Sequence, residues 1–208
     1  MNSEIIKYPF YVTVHPFNGF WELKYEHSKR INLIISFIIL FLLIMTNTLS
    51  SQYSGFVVNL YNPEEMNSLM EVVTVIVPVM FWCVANWSLT TLLDGEGKFA
   101  EIFIATCYAL TPLILINLPW VFLSNFISLQ EATFYYLSQS LAVIWFIFLL
   151  FIGNMTVQQF TPSKTVLTIL LTLVAMGFIA FLCLLFFSLI QQIIAFLTVI
   201  YQEIVFRY

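Results

Sequence analysis

Residues 86–116 read NWSLTTLLDGEGKFAEIFIATCYALTPLILI: the end of one apolar run, the polar turn Asp94 to Lys98, and the start of a second apolar run. The first run reaches back to Val72 and the second continues to about Leu123. The hydrocarbon core of a bilayer, about 30 Å thick, is crossed by about 20 apolar residues in a helix. Lipid offers no hydrogen bonds, so a chain crossing it must satisfy its backbone internally, which a helix does. Two such runs joined by five polar or glycine residues therefore read as a pair of membrane-spanning helices.

Three further runs of the same kind lie on either side: Ile31–Leu49, Thr133–Gly153 and Val166–Ile190. The first begins late, is long and lacks a small-x-small cleavage site, so it reads as a span and not as a signal peptide. Hydrophobic residues form 61% of the 208-residue chain and charged residues 9%, against about 25% charged in soluble domains. The 22 Phe, 10 Tyr and 5 Trp suit lipid-facing and interfacial positions. The expected fold is an all-α membrane protein: five transmembrane helices with an amphipathic interfacial N-terminal segment.

The chain divides into an N-terminal segment (1–30), a five-span domain (31–190) and an amphipathic tail (191–208). In the first part, HPFNGFWELKYEHSKR (His15 to Arg30) predicts a helix from Pro16, whose missing N–H costs nothing in a first turn. Phe17, Phe20, Trp21 and Lys24 fall on one face of that helix. His15 and His27 both precede the first span, at the headgroup level. The tail QQIIAFLTVIYQEIVFRY reads as a continuation of the fifth helix and not as a sixth span.

Seven Lys and Arg set the orientation. With the N-terminus cytoplasmic, Lys7, Lys24, Lys29, Arg30, Lys98 and Lys164 lie inside and only Arg207 lies outside. The excess of basic residues in cytoplasmic loops favours that arrangement. The opposite loop, Ser50 to Glu71, has no Lys or Arg. Trp120, Tyr135 and Tyr136 stand where an aromatic belt on that far side is expected.

Pro78 and Pro112 interrupt the second and third spans and are expected to kink them. The Thr74 hydroxyl is placed to help satisfy the carbonyl freed by Pro78. In the DGEGK turn, Gly95 and Gly97 are expected to supply unusual backbone dihedrals. Asn86, Ser88, Thr90 and Thr91 near the end of the second span, and Thr111 and Asn117 in the third, are expected to hydrogen-bond neighbouring helices. A polar groove for a substrate is the competing role of Asn86, Thr111 and Asn117.

No Lys, Arg, Asp or Glu falls at the centre of a span, so the usual mark of an ion-coupled transporter or proton relay is missing. Nucleophile–base pairs, HExxH and glycine-rich nucleotide motifs are also missing. Cys83, Cys107 and Cys183 each lie in an apolar run as small hydrophobes. No enzyme activity, cofactor, metal or nucleic-acid partner is expected.

Three segments carry a resemblance. Residues 86–116, the element CYALTPLILI within them (Cys107 to Ile116), and HPFNGFWELKYE (His15 to Glu26) look like the Yip1-domain family, particularly its bacterial branch. The tail from Phe187 to Arg207 also fits that branch. The resemblance implies a five-span domain with a cytoplasmic N-terminus, in a bacterial plasma membrane. Eukaryotic members are implicated in secretory traffic and bind prenylated Rab-type GTPases. This chain lacks their Asp-Leu-Tyr-Gly-Pro element, so a GTPase partner is not carried over.

The function expected from this reading is a non-catalytic accessory or scaffold protein that binds another membrane protein, or itself. An ABC-type transporter is the partner class the resemblance suggests. The expected docking face is Trp21, Glu22, Lys24, Asp94, Glu96 and Lys98. The alternative is a small-solute or lipid transporter or channel built around Asn86, Thr111 and Asn117.

Overall fold

The computed structural model describes residues 2–26, 28–59 and 67–206. His27, Arg207 and the loop residues Glu64 and Glu65 lie outside them. The described elements are α1 (Asn2–Val14), α2 (Pro16–Tyr25), α3 (Lys29–Tyr53), α4 (Ser68–Leu92), α5 (Phe99–Ala109), α6 (Thr111–Leu123), α7 (Ala132–Gln158) and α8 (Pro162–Phe206). Five spans are long and apolar enough to cross a membrane: α3, α4, α5 with α6, α7, and α8. The protein is thus an all-helical, multi-pass membrane protein.

The third span is the most deeply buried of the five; α3, α4 and α7 pack on it, while α8 lies outside against α4 and α7. It breaks at Leu110. Pro112 in the first turn of α6 has no N–H to give the Tyr108 carbonyl. The chain tightens there instead, with the Leu110 amide 3.2 Å from both the Thr106 and the Cys107 carbonyl oxygens. Pro78, by contrast, sits inside an α4 that continues past it. The Thr74 hydroxyl does not turn toward its own freed carbonyl; it donates back to the Met70 carbonyl at 2.9 Å.

Side-chain contacts show which helix ends share a side. At one end Lys24 meets Glu96, Lys29 meets Glu101, and Lys164 donates to the Leu93 carbonyl. At the other end the Ser51 hydroxyl donates to Glu71 at 2.9 Å. There too the Gly55 amide donates to Ser124 Oγ, and Asn125 Nδ2 to the Tyr53 carbonyl, each at 2.9 Å. Trp120, Tyr135 and Tyr136 stack edge to face at this second end, with centroids 5.4–5.5 Å apart. The spans therefore alternate in direction, with one lysine-bearing end.

Before the first span lie two helices where the sequence predicts one, and they form a hairpin. At Gly19 the arms touch: a Cβ there would sit 2.9 Å from Val12 Cα. The Tyr8 hydroxyl lies 2.9 Å from the Gly19 carbonyl oxygen and 3.2 Å from Glu22 Oε2. Burial, and then the Glu22 carboxylate, hold the Tyr8 phenol well above its ordinary pKa. The hairpin stands against α7. Trp145 Nε1 donates to the Thr13 carbonyl at 3.2 Å, about 20 Å along α7 from Gln158 at ~1.5 Å per residue. The buried stripe of α2 is Gly19, Phe20 and Leu23, while Phe17 and Trp21 face outward. It is rotated from the expected face because Gly153 of α7 leaves room for the Phe20 ring, which lies 3.0 Å from where a Cβ would be.

α8 runs unbroken through the expected end of the fifth span for 45 residues. At ~1.5 Å per residue that is about 68 Å, more than twice the hydrocarbon thickness. Its first half lays Thr165, Thr168 and Thr172 against the bundle, all buried. Beyond Thr172 no described residue of α8 is buried.

Candidate functional site

At the lysine-bearing end, the Asp94–Lys98 turn is clamped by one buried side chain, Gln158, the last residue of α7. Gln158 Oε1 accepts from the Gly97 amide at 3.0 Å, and Nε2 donates to Thr90 Oγ1 at 3.1 Å. Thr90 in turn donates to the Asn86 carbonyl at 2.7 Å, and its own carbonyl accepts from the Gly95 amide at 2.8 Å. Lys164 closes the other side, donating to the Leu93 carbonyl at 2.7 Å with its charge 4.1 Å from the centre of the Phe160 ring. The turn is thus built from the ends of α4, α5, α7 and α8 together.

The two glycines serve a purpose other than the expected one. The left-handed residue of the turn is Asp94, at φ 58°, and no described glycine has positive φ; aspartate is among the side chains that tolerate that region. Gly95 and Gly97 are there for closeness. A Cβ at Gly95 would meet Gln158 Oε1 at 2.4 Å, and one at Gly97 would meet Val157 Cγ1 at 2.7 Å and Gln158 Nε2 at 2.8 Å.

Lys24 joins the hairpin to this turn. Its ammonium donates to the Val157 carbonyl at 2.9 Å and lies 3.5 Å from Glu96 Oε2, with 9% of the side chain exposed. Of the six residues predicted for docking, Lys24 and Glu22 are therefore turned inward, Glu22 facing the hydroxyls of Tyr8 and Tyr11. Trp21, Asp94, Glu96 and Lys98 are exposed. Trp21 lies against Tyr25 with centroids 5.3 Å apart and the rings tilted by 43°. Sequence reasoning missed Gln158. Its only signal was an amide closing an apolar span, with a Gly-x-Gly turn elsewhere in the chain to receive it.

The three intramembrane polar residues do not come together. Asn86 Nδ2 donates to Thr172 Oγ1 at 3.3 Å and so ties α4 to α8, the helix-joining role expected of it. Thr111 lines an apolar cavity of about 240 Å³ among Pro9, Phe10, Ile35 and Ile114. Asn117 lines a different cavity, of about 530 Å³. Cys83 makes a long contact of 3.9 Å with Thr106 Oγ1.

Searches of curated proteins and of solved structures found no match. A family model, that of the Yip1 domain, matches residues 10–185. The match takes in α2, the clamped turn, the broken third span and the part of α8 that packs on α4. With that pattern covering most of its length, the chain belongs to the Yip1-domain family.

Proposed function

We propose that the protein is a non-catalytic membrane scaffold that docks another membrane protein through its lysine-bearing end. The partner class we favour is an ABC-type transporter or one of its cytoplasmic subunits, with a second copy of this chain as the alternative. By the distribution of Lys and Arg, this end faces the cytoplasm, with the N-terminus inside and the C-terminus outside; the resemblance to the bacterial branch of the family points to a bacterial plasma membrane. One observation carries the reading. Lys24, almost wholly buried, donates to the Val157 carbonyl and so fastens the α1–α2 hairpin to the end of α7, next to the Gln158 that clamps the Asp94–Lys98 turn. Exposed Trp21, Asp94, Glu96 and Lys98 are thereby held on a shared, internally braced frame. Exposed aromatics such as Trp21 are enriched at the centre of binding patches, and charged groups suit their rim.

The alternative of a solute path draws less support, since Asn86, Thr111 and Asn117 occupy three separate environments. The test of docking is the double substitution Asp94→Asn, Glu96→Gln, which removes both charges while asparagine keeps the left-handed backbone of position 94. Both side chains are exposed, and the Lys24–Glu96 contact is of the kind that adds little stability. Expression and melting temperature should be unchanged, while the partner recovered with the tagged protein from native membranes should fall by at least about fivefold. Undiminished recovery removes this face from consideration.

A further inference from the structure

The cavity of about 530 Å³ falls within the ~300–1,000 Å³ of ligand sites. It opens where the spans part: α4 packs on α3, α5 and α8, whereas α6 packs on α3 and α7. The two prolines mark the gap, with Pro78 in its wall and the Pro112 break beside Leu110 and Leu113, which also line it. The inner part is apolar, walled by Val79, Trp82, Leu113, Leu150, Ile169 and Leu173. Thr106 there is already engaged, donating to the Ile102 carbonyl at 2.7 Å.

Polar groups gather at the opposite end. Asn47, Thr74 and Asn117 line the cavity, each six residues from the helix end farther from the lysines, at Tyr53, Ser68 and Leu123. At ~1.5 Å per residue they share a level about 9 Å inside that end. Asn117 Oδ1 is buried with no hydrogen-bond partner among the described residues. Beside it, Pro78 withholds the amide hydrogen that a helix would offer the Thr74 carbonyl. The cavity therefore has an apolar floor and, near its mouth, one buried acceptor, Asn117 Oδ1, that lacks a donor. Unpaired polar groups in hydrocarbon are costly, and an apolar chain alone would leave this one unpaired.

We propose that this cavity binds one amphiphile, its acyl chain among Val79, Trp82, Leu150 and Leu173 and a hydroxyl or amine beside the chain donating to Asn117 Oδ1. This site stands apart from the docking face and holds whether or not that face has a partner. Two sources share the chemistry: a bilayer phospholipid with an amine headgroup, and a free single-chain amphiphile.

The test reconstitutes the full chain in phosphatidylcholine vesicles containing a monoacylglycerol with a diazirine in its acyl chain. Irradiation and peptide mapping should show saturable labelling at Val79, Leu113, Leu150 and Leu173. Leu113→Trp and Val79→Trp, two independent fillings of the cavity, should each cut that labelling at least about tenfold where melting is unchanged. Asn117→Leu should weaken competition by unlabelled monoacylglycerol about fivefold, the worth of one neutral hydrogen bond. Competition by phosphatidylethanolamine as well supports a bilayer lipid as the source, and by monoacylglycerol alone a free amphiphile. Labelling that does not saturate, spreads along the exposed face of α8 and ignores both tryptophan variants overturns the proposal. So does competition unaffected by Asn117→Leu.

Discussion

Gly55→Ala is expected to destabilise the protein by about 3 kcal/mol or more, well above the usual effect of one added methyl group. The Gly55 amide is held by Ser124 Oγ at 2.9 Å in a buried contact. A Cβ there would stand 2.1 Å from the Ser124 carbonyl oxygen, 2.6 Å from its carbon and 3.0 Å from Asn125 Cα. Every one of those atoms is backbone, so no side chain can swing aside to admit the methyl. Relief requires moving the segment after α3 away from the end of α6, which also strains the Asn125–Tyr53 hydrogen bond. Gly177→Ala is the control. Nothing lies within 4 Å of its position in α8, and alanine favours a helix over glycine by about 1 kcal/mol. Thermal unfolding in detergent, followed by thiol labelling of the fully buried Cys83 and Cys107, separates the two. The midpoint should drop for the first and stay level or rise for the second; equal midpoints contradict the packing described.

The second large effect is expected at Gln158. Gln158→Leu keeps a similar volume but removes the bonds to Gly97 and Thr90. It leaves the Gly97 amide without its acceptor at a partly buried site. Two neutral hydrogen bonds at about 1 kcal/mol each, and part of the ~1–3 kcal/mol penalty for an orphaned donor, give a loss of about 2–4 kcal/mol. The consequence is local as well as global. Amide hydrogen exchange should rise across Gly95–Lys98 while the Gly55–Ser124 contact at the other end keeps its protection. Unchanged exchange in the turn would show that Gln158 does not hold it.

Much of this fold is legible in the sequence because lipid is a simple solvent. A run such as Ile31–Leu49 has one viable conformation in hydrocarbon, and the five runs coincide with the five helices, the second passing the end of α4 by one residue, Leu93. The helix-joining role of Asn86 was legible for the same reason, since an amide in a span needs a partner. What stayed hidden are relations between segments distant in the chain. Gly95 and Gly97 look like turn glycines, and only the Gln158 side chain 61 residues from Gly97 shows that closeness is their purpose. The rotation of α2 is likewise set by Gly153, which nothing near Phe20 reveals. The cavity at Asn117 is a gap between helices, and lipid-facing and buried apolar residues read alike in a sequence. α1 escaped notice because its residues before Val14 are mixed in character and gain their surroundings only by packing on the distant α5 and α6 as well as on α2.

The braced end of the bundle is proposed to meet a partner protein. A photocrosslinking amino acid placed at Glu96, and separately at Trp21, in the full chain in native membranes tests it directly, with Leu182 on exposed α8 as the comparison position. Docking at this end gives adducts to one and the same membrane protein from Glu96 and Trp21 and none to it from Leu182. Free monomer at both positions, or the same adducts from all three, would contradict it.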